Sequence, residues 1–328
     1  MDFSITSFHS ITKALKQATA VIVDHKVAEL YKNKLDFSEA LLLHASEEEK
    51  TTKHLHYIYN YLLKRNVTRE DIVLGIGGGI TTDLSGYATA TFKRGCKLEL
   101  VPTTLLAMAD AAIGSKTGIN FAGIKNLIGA FYPARKIYIN PAFLDTLPEE
   151  NMLEGWAEII KSSLISGGKL FHKLKSCPEP VDILSEIINI KSTICQADLY
   201  DKTSRRQLNL GHTFAHVIES VSDFKIRHGL AVAMGLRIAA KAARQMEMIS
   251  EEYFLEIHQL MDLYNMPILP PQNSELMKAI RERGQTALEQ DKKNVGSAIT
   301  LVLPEGKCKV AIISGFSSAE VIRLMTSG

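Results

Sequence analysis

The sequence predicts two domains: an α/β N-terminal domain built on a parallel sheet, residues 1–147, and a mainly α-helical C-terminal domain, residues 148–328. Up to about residue 147, short aliphatic or β-branched runs alternate with helical patterns, the signature of strands joined by crossover helices. From residue 149 to about 286, nearly every segment instead places its apolar residues at helical spacing. A glycine-rich loop at the end of one N-terminal strand is the third observation, and it makes the sheet Rossmann-like.

The first strand is expected at Ala20-Val21-Ile22-Val23 and the second at Ala40-Leu41-Leu42-Leu43. Asp24, directly after the first, has two readings that local sequence leaves open. It can cap a helix beginning near Lys26, or receive ribose or adenine hydroxyls. Residues 47–65 carry Leu55, Ile58 and Leu62 at helical spacing, with acids where the N-terminal end of the helix dipole favours them. The third strand, Ile72-Val73-Leu74-Gly75-Ile76, runs into Gly77-Gly78-Gly79-Ile80-Thr81-Thr82-Asp83. Backbone amides free of side chains at a helix N-terminus can approach a phosphate, and a tight structural turn is the plainer alternative. Ile80 occupies the last glycine position of a Gly-x-Gly-x-x-Gly pattern, which argues against an ordinary Rossmann dehydrogenase. Leu98-Glu99-Leu100-Val101 is the fourth strand. Between residues 102 and 126, Gly114, Gly118 and Gly123 interrupt Thr103, Thr104, Asp110, Lys116, Asn120, Lys125 and Asn126, as expected of phosphate-binding turns or of an exposed loop. Near the end, segments 298–303 and 309–314 flank Pro304-Glu305-Gly306 and read as a small hairpin.

Composition narrows the functional class. Lys and Arg number 38 against 36 acids, so the net charge of +2 gives no bulk attraction to nucleic acid or membrane. The four cysteines form no Cys-x-x-Cys pair, so free thiols and a reducing compartment are expected. The first residues carry no basic region followed by an apolar stretch, and no apolar run approaches a membrane span, so a cytoplasmic location is expected.

Chemistry concentrates in Leu208-Asn209-Leu210-Gly211-His212-Thr213-Phe214-Ala215-His216, with His228-Gly229 twelve residues after the second histidine. His212 and His216 share one face of a helix. His228, together with Glu158 in Trp156-Ala157-Glu158-Ile159-Ile160-Lys161, completes a nitrogen and oxygen set suited to a zinc-like cation with an open position. Arg94, Lys161, Lys191 and Arg205 add cations, so a small substrate with phosphate and carboxylate groups is expected.

Over residues 24 to 302 the sequence resembles the 3-dehydroquinate synthase family, among the sugar phosphate cyclases. The resemblance rests on Gly-Gly-Gly-x-x-x-Asp-Leu, Arg-Gly, Pro-Thr-Thr-Leu-Leu-Ala, Lys-Thr-Gly-x-Asn, Lys-Asn-Leu-Ile-Gly-Ala-Phe, Ala-Glu-x-Ile-Lys, Leu-Asn-x-Gly-His-Thr-Phe-x-His and His-Gly, all in order. It implies a dehydroquinate synthase-like fold with the active site in the cleft between the domains. By the resemblance, Glu158, His212 and His228 bind zinc, with cobalt as the alternative, while His216 faces the substrate. Gly77, Gly78, Gly79 and Asp83 hold NAD, assisted by Thr103, Thr104, Lys125 and the segment containing Phe143 and Thr146. Glu47 and Lys50 form an adenosine-side loop, with Asp24 also on the cofactor side. Asp110, Lys116, Asn126, Lys161, Lys191, Arg205 and Asn209 take substrate-binding positions, Lys116 serving the cofactor as well, and Lys292 or Lys293 contributes from the C-terminal region. Arg94 reaches a neighbouring subunit, which makes a homodimer functionally necessary.

The implied reaction converts 3-deoxy-D-arabino-heptulosonate 7-phosphate to 3-dehydroquinate and phosphate with NAD not consumed. Thr82, Ser115, Ile124 and Ala215 stand where glycine is common in the family, Leu230 where glutamate is frequent and Asp201 where glutamate is usual. The alternatives are a sister cyclase with another sugar phosphate, a metal-dependent polyol dehydrogenase, and a silent binding protein on the same fold.

Overall fold

The computed structural model describes residues 2–290 and 298–327, so the expected contribution of Lys292 or Lys293 lies outside the described residues. The chain forms two compact units, Met1–Met152 with Lys191–Tyr200, and Leu153–Ile190 with Asp201–Gly328.

In chain order the first unit contains β1 (Asp2–Ile5), α1 (Phe8–Gln17), β2 (Ala20–Asp24), α2 (His25–Tyr31), β3 (Leu41–Leu43), α3 (Thr52–Lys64), β4 (Ile72–Gly77), α4 (Gly79–Thr91), β5 (Lys97–Pro102), α5 (Leu105–Ala109), β6 (Lys116–Phe121), β7 (Ile124–Phe131) and β8 (Lys136–Ile139). Six of these strands make one sheet in the order β1-β8-β5-β4-β2-β3, and every pairing in it is parallel. The centre is closed to water on both faces: five of the six residues of β5 are buried, as are Val73, Leu74 and Ile76 of β4. That explains the nearly continuous apolar runs of the sequence, broken in β5 by Glu99, which is buried and accepts from the Tyr138 hydroxyl at 3.0 Å. Ile58 and Leu62 of α3 and Leu84 and Ala88 of α4 pack with Ala20, Ile22 and Val73 in the core of this unit.

Several local expectations change. β1 and β8 are two strands that the pattern reading missed, so the glycine loop closes the fourth strand in chain order rather than the third. The helix expected over 47–65 is a 3-10 turn, Glu47–Glu49, then α3, separated at Lys50, whose φ −74° and ψ 59° are not helical. The acids therefore belong to the turn. Segment 102–126 contains α5 and most of an antiparallel hairpin, β6 and β7, rather than only turns. Gly118 and Gly129 face one another across it, and a Cβ on Gly129 would lie 2.3 Å from the Thr117 carbonyl oxygen. Their role is close strand approach.

The second unit holds α6 (Glu149–Ile165) from Leu153 onward, α7 (Lys169–Leu174), most of α8 (Pro180–Ala197), α9 (His212–Val221), α10 (His228–Gln245), α11 (Glu251–Leu263), α12 (Glu275–Gln290), β9 (Ile299–Pro304), β10 (Val310–Phe316) and α13 (Ser318–Thr326). It is mainly helical, as the periodicity indicated. β9 and β10 form the expected antiparallel hairpin, and α13, capped by reciprocal bonds between Ser317 and Glu320, was not anticipated. No helix among the described residues is long and apolar enough to cross a membrane. All four cysteines are free thiols.

Candidate active site

Two polar clusters stand out, one within each unit. The first surrounds the glycine loop. In the sheet order, β4 and β5 lead outward on one side while β2 and β3 lead outward on the other, so the direction of winding reverses between β4 and β2. Open α/β sheets bind ligands beyond the carboxyl ends of strands at such a reversal. Gly77 and Asp24 end the two strands that flank it. The α4 helix starts at Gly79 with Gly78 as its N-cap and no side-chain cap bond, which leaves its first amides to another acceptor.

Thr103 donates its backbone N–H to the Gly77 carbonyl at 3.0 Å, and Thr104 caps α5 by accepting from Ala107 at 3.1 Å. Asp83, one turn into α4, receives a close contact from the buried Lys50 ammonium, which also donates to Asn126. Burial raises the Asp83 pKa, opposed by the Lys50 charge. Asn120 links the group by donating to Glu47 Oε1 at 2.7 Å and accepting from the Asn126 amide at 2.8 Å. Glu47, Lys50, Asp83 and Asn126 are thus one network, spanning 79 positions of sequence. Asn120, expected either in a phosphate-binding turn or in an exposed loop, connects them.

The Asp24 carboxylate accepts from the Lys26 amide at 2.8 Å as the N-cap of α2, matching the structural side of its two readings. Phe143 is 2% exposed, its ring edge-on to Tyr31 at 4.7 Å, so its side chain belongs to the core. Thr146 Oγ1 lies 2.9 Å from the same Tyr31 hydroxyl. Lys116 is exposed at the start of β6, Lys125 is half-buried in β7, and Arg94 is exposed in a 3-10 turn with φ 66°. Lys191, buried, contacts the Asp110 carboxylate and donates to its carbonyl at 2.7 Å.

The second cluster is built by α6, α9 and α10. Gly211 at φ 75° turns the chain into α9, so that His212 is the first residue of the helix. Gly229, second residue of α10, packs against α6 where a Cβ would come within 2.4 Å of Glu154 Cα, and this contact brings His228 to Glu158. Among the described residues, Glu158, His212 and His228 form a group whose potential ligand atoms all lie within 4.8 Å of one another. Glu158 Oε1 is 3.7 Å from His212 Nε2 and 3.5 Å from His228 Nε2. Four-coordinate zinc with bonds near 2.0–2.1 Å has ligand-to-ligand edges of about 3.3 Å, so a small shift seats an ion. Glu158 is 1% exposed, and its two oxygens accept no hydrogen bond of ordinary geometry. A buried carboxylate in that state fits a cation.

Both rings are held from behind. His212 Nδ1 lies 3.2 Å from the Leu210 carbonyl, and His228 Nδ1 lies 3.4 Å from Glu219 Oε2, so each presents Nε2 toward Glu158. Glu219, 4% exposed, was missed in sequence. Its signal was an acid in the apolar stretch Val217-Ile218-Glu219-Ser220-Val221, two helical turns after His212. Burial disfavours the Glu158 charge, yet the Lys161 ammonium, followed by His228, holds its pKa at about 2. His228, despite burial, is pushed up to about 10 by Glu219 and Glu158. A proton on this ring must leave before a cation binds. His216, one turn along α9, has its ring 6.0 Å from that of His212 and lies outside the three-residue group. Arg205 is buried and Asn209 half-buried on the 3-10 turn Ser204–Asn209, immediately before α9.

The fold, a reversing parallel sheet with a glycine loop and a mainly helical unit, matches solved structures. The fold matches 2-epi-5-epi-valiolone synthase from Streptomyces hygroscopicus subsp. jinggangensis, with NAD+ and Zn2+ bound, at a TM-score of 0.86 and 24% identity, covering 98% of this chain and 94% of that one. It also matches 2-deoxy-scyllo-inosose synthase complexed with carbaglucose-6-phosphate, NAD+ and Co2+, at a TM-score of 0.80 and 23% identity, covering 100% and 96% of the two chains. Family models for the 3-dehydroquinate synthase N-terminal and C-terminal regions match residues 40–154 and 155–294. The 3-dehydroquinate synthase of Pyrococcus furiosus is 42% identical over 209 residues, 62% of this chain and 62% of that one. That of Streptococcus equi subsp. equi is 34% identical over 267 residues, covering 79% and 73%. The chain belongs to the 3-dehydroquinate synthase family.

Proposed function

We propose that the protein is an NAD- and divalent-metal-dependent carbon-oxygen lyase that converts 3-deoxy-D-arabino-heptulosonate 7-phosphate to 3-dehydroquinate and phosphate, in the cytoplasm and as a homodimer. The observation that carries this reading is the convergence of Glu158, His212 and His228 in a chain of this family. When bound, NAD supplies a reversible hydride acceptor and the metal, zinc or alternatively cobalt, a Lewis acid for the hydroxyl under oxidation.

The chain's own residues hold and orient. Glu158, His212 and His228 hold the ion, with Lys161 against the carboxylate limiting its charge. Amides at the start of α4 receive the cofactor phosphates, and Asp83, positioned by Lys50, serves on the same side. The proposed substrate residues are Lys116, Asp110, Asn126 and Lys191, with Lys161, Arg205, Asn209 and His216. Their cations fix the phosphate and carboxylate and stabilise the enolate formed once the new ketone acidifies the neighbouring C–H. Elimination releases phosphate, the ketone is reduced again, and ring opening with intramolecular aldol closure makes the carbocycle. The departing phosphate is itself one candidate for the base that takes the C–H proton.

A second reading, a cyclase for another sugar phosphate, is favoured by Ser115, which adopts φ 57° beside Lys116 where the family commonly has glycine. One incubation decides among the readings. Purified protein with the heptulosonate phosphate, NAD and zinc should release phosphate and 3-dehydroquinate over many turnovers with no sustained rise in NADH. One NADH per substrate consumed would indicate a polyol dehydrogenase, and no turnover of this substrate would leave the sister cyclase.

A further inference from the structure

Glu219 has no assigned part in the reaction, yet it is a carboxylate on a helix that is otherwise apolar around it, 4% exposed and 3.4 Å from His228 Nδ1. Burying an acid there is costly unless a partner compensates it. From its position in α9 it reaches the first residue of α10, the same residue whose Nε2 faces Glu158 at 3.5 Å. His212 receives the equivalent support from a backbone carbonyl, at 3.2 Å from Leu210. The two histidines therefore differ in kind: one is backed by a neutral acceptor, the other by an anion.

We infer that Glu219 is a positioning residue for the metal, fixing the Nδ1–H tautomer and ring plane of His228 so that Nε2 is the ligand atom. This rests on the reading of Glu158, His212 and His228 as the metal site and adds a determinant of metal affinity to it. A carboxylate behind a histidine ligand removes the ring's freedom to present the wrong nitrogen and makes the ligating nitrogen a better donor. Loss of such a partner typically weakens metal binding by about 10- to 100-fold.

The test measures Co2+ dissociation constants for wild type, Glu219→Leu and Glu219→Gln, together with the thermal midpoint of each metal-free protein. Leucine suits a helix, but it removes one member of the buried Glu219–His228 pair, so the metal-free variant should fold with a lowered thermal midpoint. The expected result is a folded protein whose Co2+ affinity is about 10- to 100-fold weaker in Glu219→Leu. Glu219→Gln, which keeps an acceptor for Nδ1–H, should recover most of that loss. Wild-type affinity in a folded Glu219→Leu protein would overturn the role of Glu219 alone. Should that variant not fold, Glu219→Ala decides by the same measurement: a loss of about 10- to 100-fold in Co2+ affinity supports the role, and wild-type affinity overturns it. No Co2+ binding by the wild type would instead overturn the metal-site reading beneath it.

Discussion

Lys161 lies one turn after Glu158 on α6, and its ammonium meets the Glu158 carboxylate with both side chains almost sealed from solvent, at 2% and 1%. In the proposed site a cation and a metal ion would share one acid. Removing one member of a buried pair leaves the other uncompensated, at a cost of about 3–5 kcal/mol. Lys161→Met keeps the apolar stem and deletes the charge, so the metal-free variant should be destabilised by about that amount. Zinc should restore part of it, because the ion then balances Glu158. Thermal melts in chelator and in excess zinc check this, and an unchanged midpoint in chelator would refute it.

The metal itself is expected to be functional rather than structural. The second unit has an apolar interior independent of the three ligands, with Ile159, Ile160, Phe214, Ile218 and Val232 among its fully or nearly fully buried residues. His212→Ala should therefore lose most bound zinc and most activity while remaining folded. Metal analysis after gel filtration is the measurement, and normal zinc content would remove His212 from the ligand set.

Much of this was legible because periodicity and chemistry agreed. β2, β4 and β5 are runs of apolar residues buried on both faces, and the helices of the second unit announce themselves by spacing. β1 and β8 escaped because each has only four residues and begins with a charge, Asp2 or Lys136, so neither offers a pattern without its neighbours. The β6–β7 hairpin escaped because Gly118 read as a turn like Gly114 and Gly123, whereas it faces Gly129 and serves close backbone approach. Among site residues, His212, His228 and Glu158 were visible as a ligand set, but the partnership of Lys50 with Asn126 joins positions 76 apart and depends on the hairpin that was missed.

The glycine loop can be tested without disturbing the fold. A Cβ on Gly79 would meet its nearest neighbour, Ala111 Cβ, at 3.4 Å, an ordinary contact. Alanine is also better in a helix than glycine by about 1 kcal/mol. Gly79→Ala should thus be as stable as the parent or slightly more so, yet bind NAD at least about tenfold more weakly if backbone amides at the start of α4 take the phosphates. Calorimetric titration with NAD decides, and wild-type affinity would move the phosphates elsewhere.

A pH dependence of stability arises at Arg237, whose guanidinium lies 3.0 Å from His258 Nδ1 and also donates to the Pro267 carbonyl at 3.0 Å. Burial, then the Arg237 charge, lowers the His258 pKa from its ordinary value of 6.5, with Asp262 opposing. Between the lowered folded value and 6.5 the unfolded chain binds more protons, so this residue makes stability fall as pH drops through 6.5. Above that range its contribution is constant. His258→Asn keeps a short acceptor and removes the titration, so the fall in urea midpoint between about pH 7.5 and 5.5 should be smaller than in wild type. Equal slopes would show that His258 does not carry the effect.

Arg94 addresses the assembly. It is exposed, in a 3-10 turn that follows α4, with φ 66° at Arg94 and 50° at Lys93, so the chain holds an unfavourable backbone conformation where it presents this side chain. A residue serving a neighbouring subunit's site in a homodimer would have that exposure. If it acts in trans, Arg94→Ala and His212→Ala proteins are each inactive, but a mixed dimer contains one site with its own His212 and the partner's intact arginine. Random mixing makes half the dimers mixed, each with one of two sites working, so activity near about a quarter of wild type should return. Subunit exchange is verified separately by differently tagged chains. Action within one chain predicts no recovery at all, because every site then lacks either Arg94 or His212.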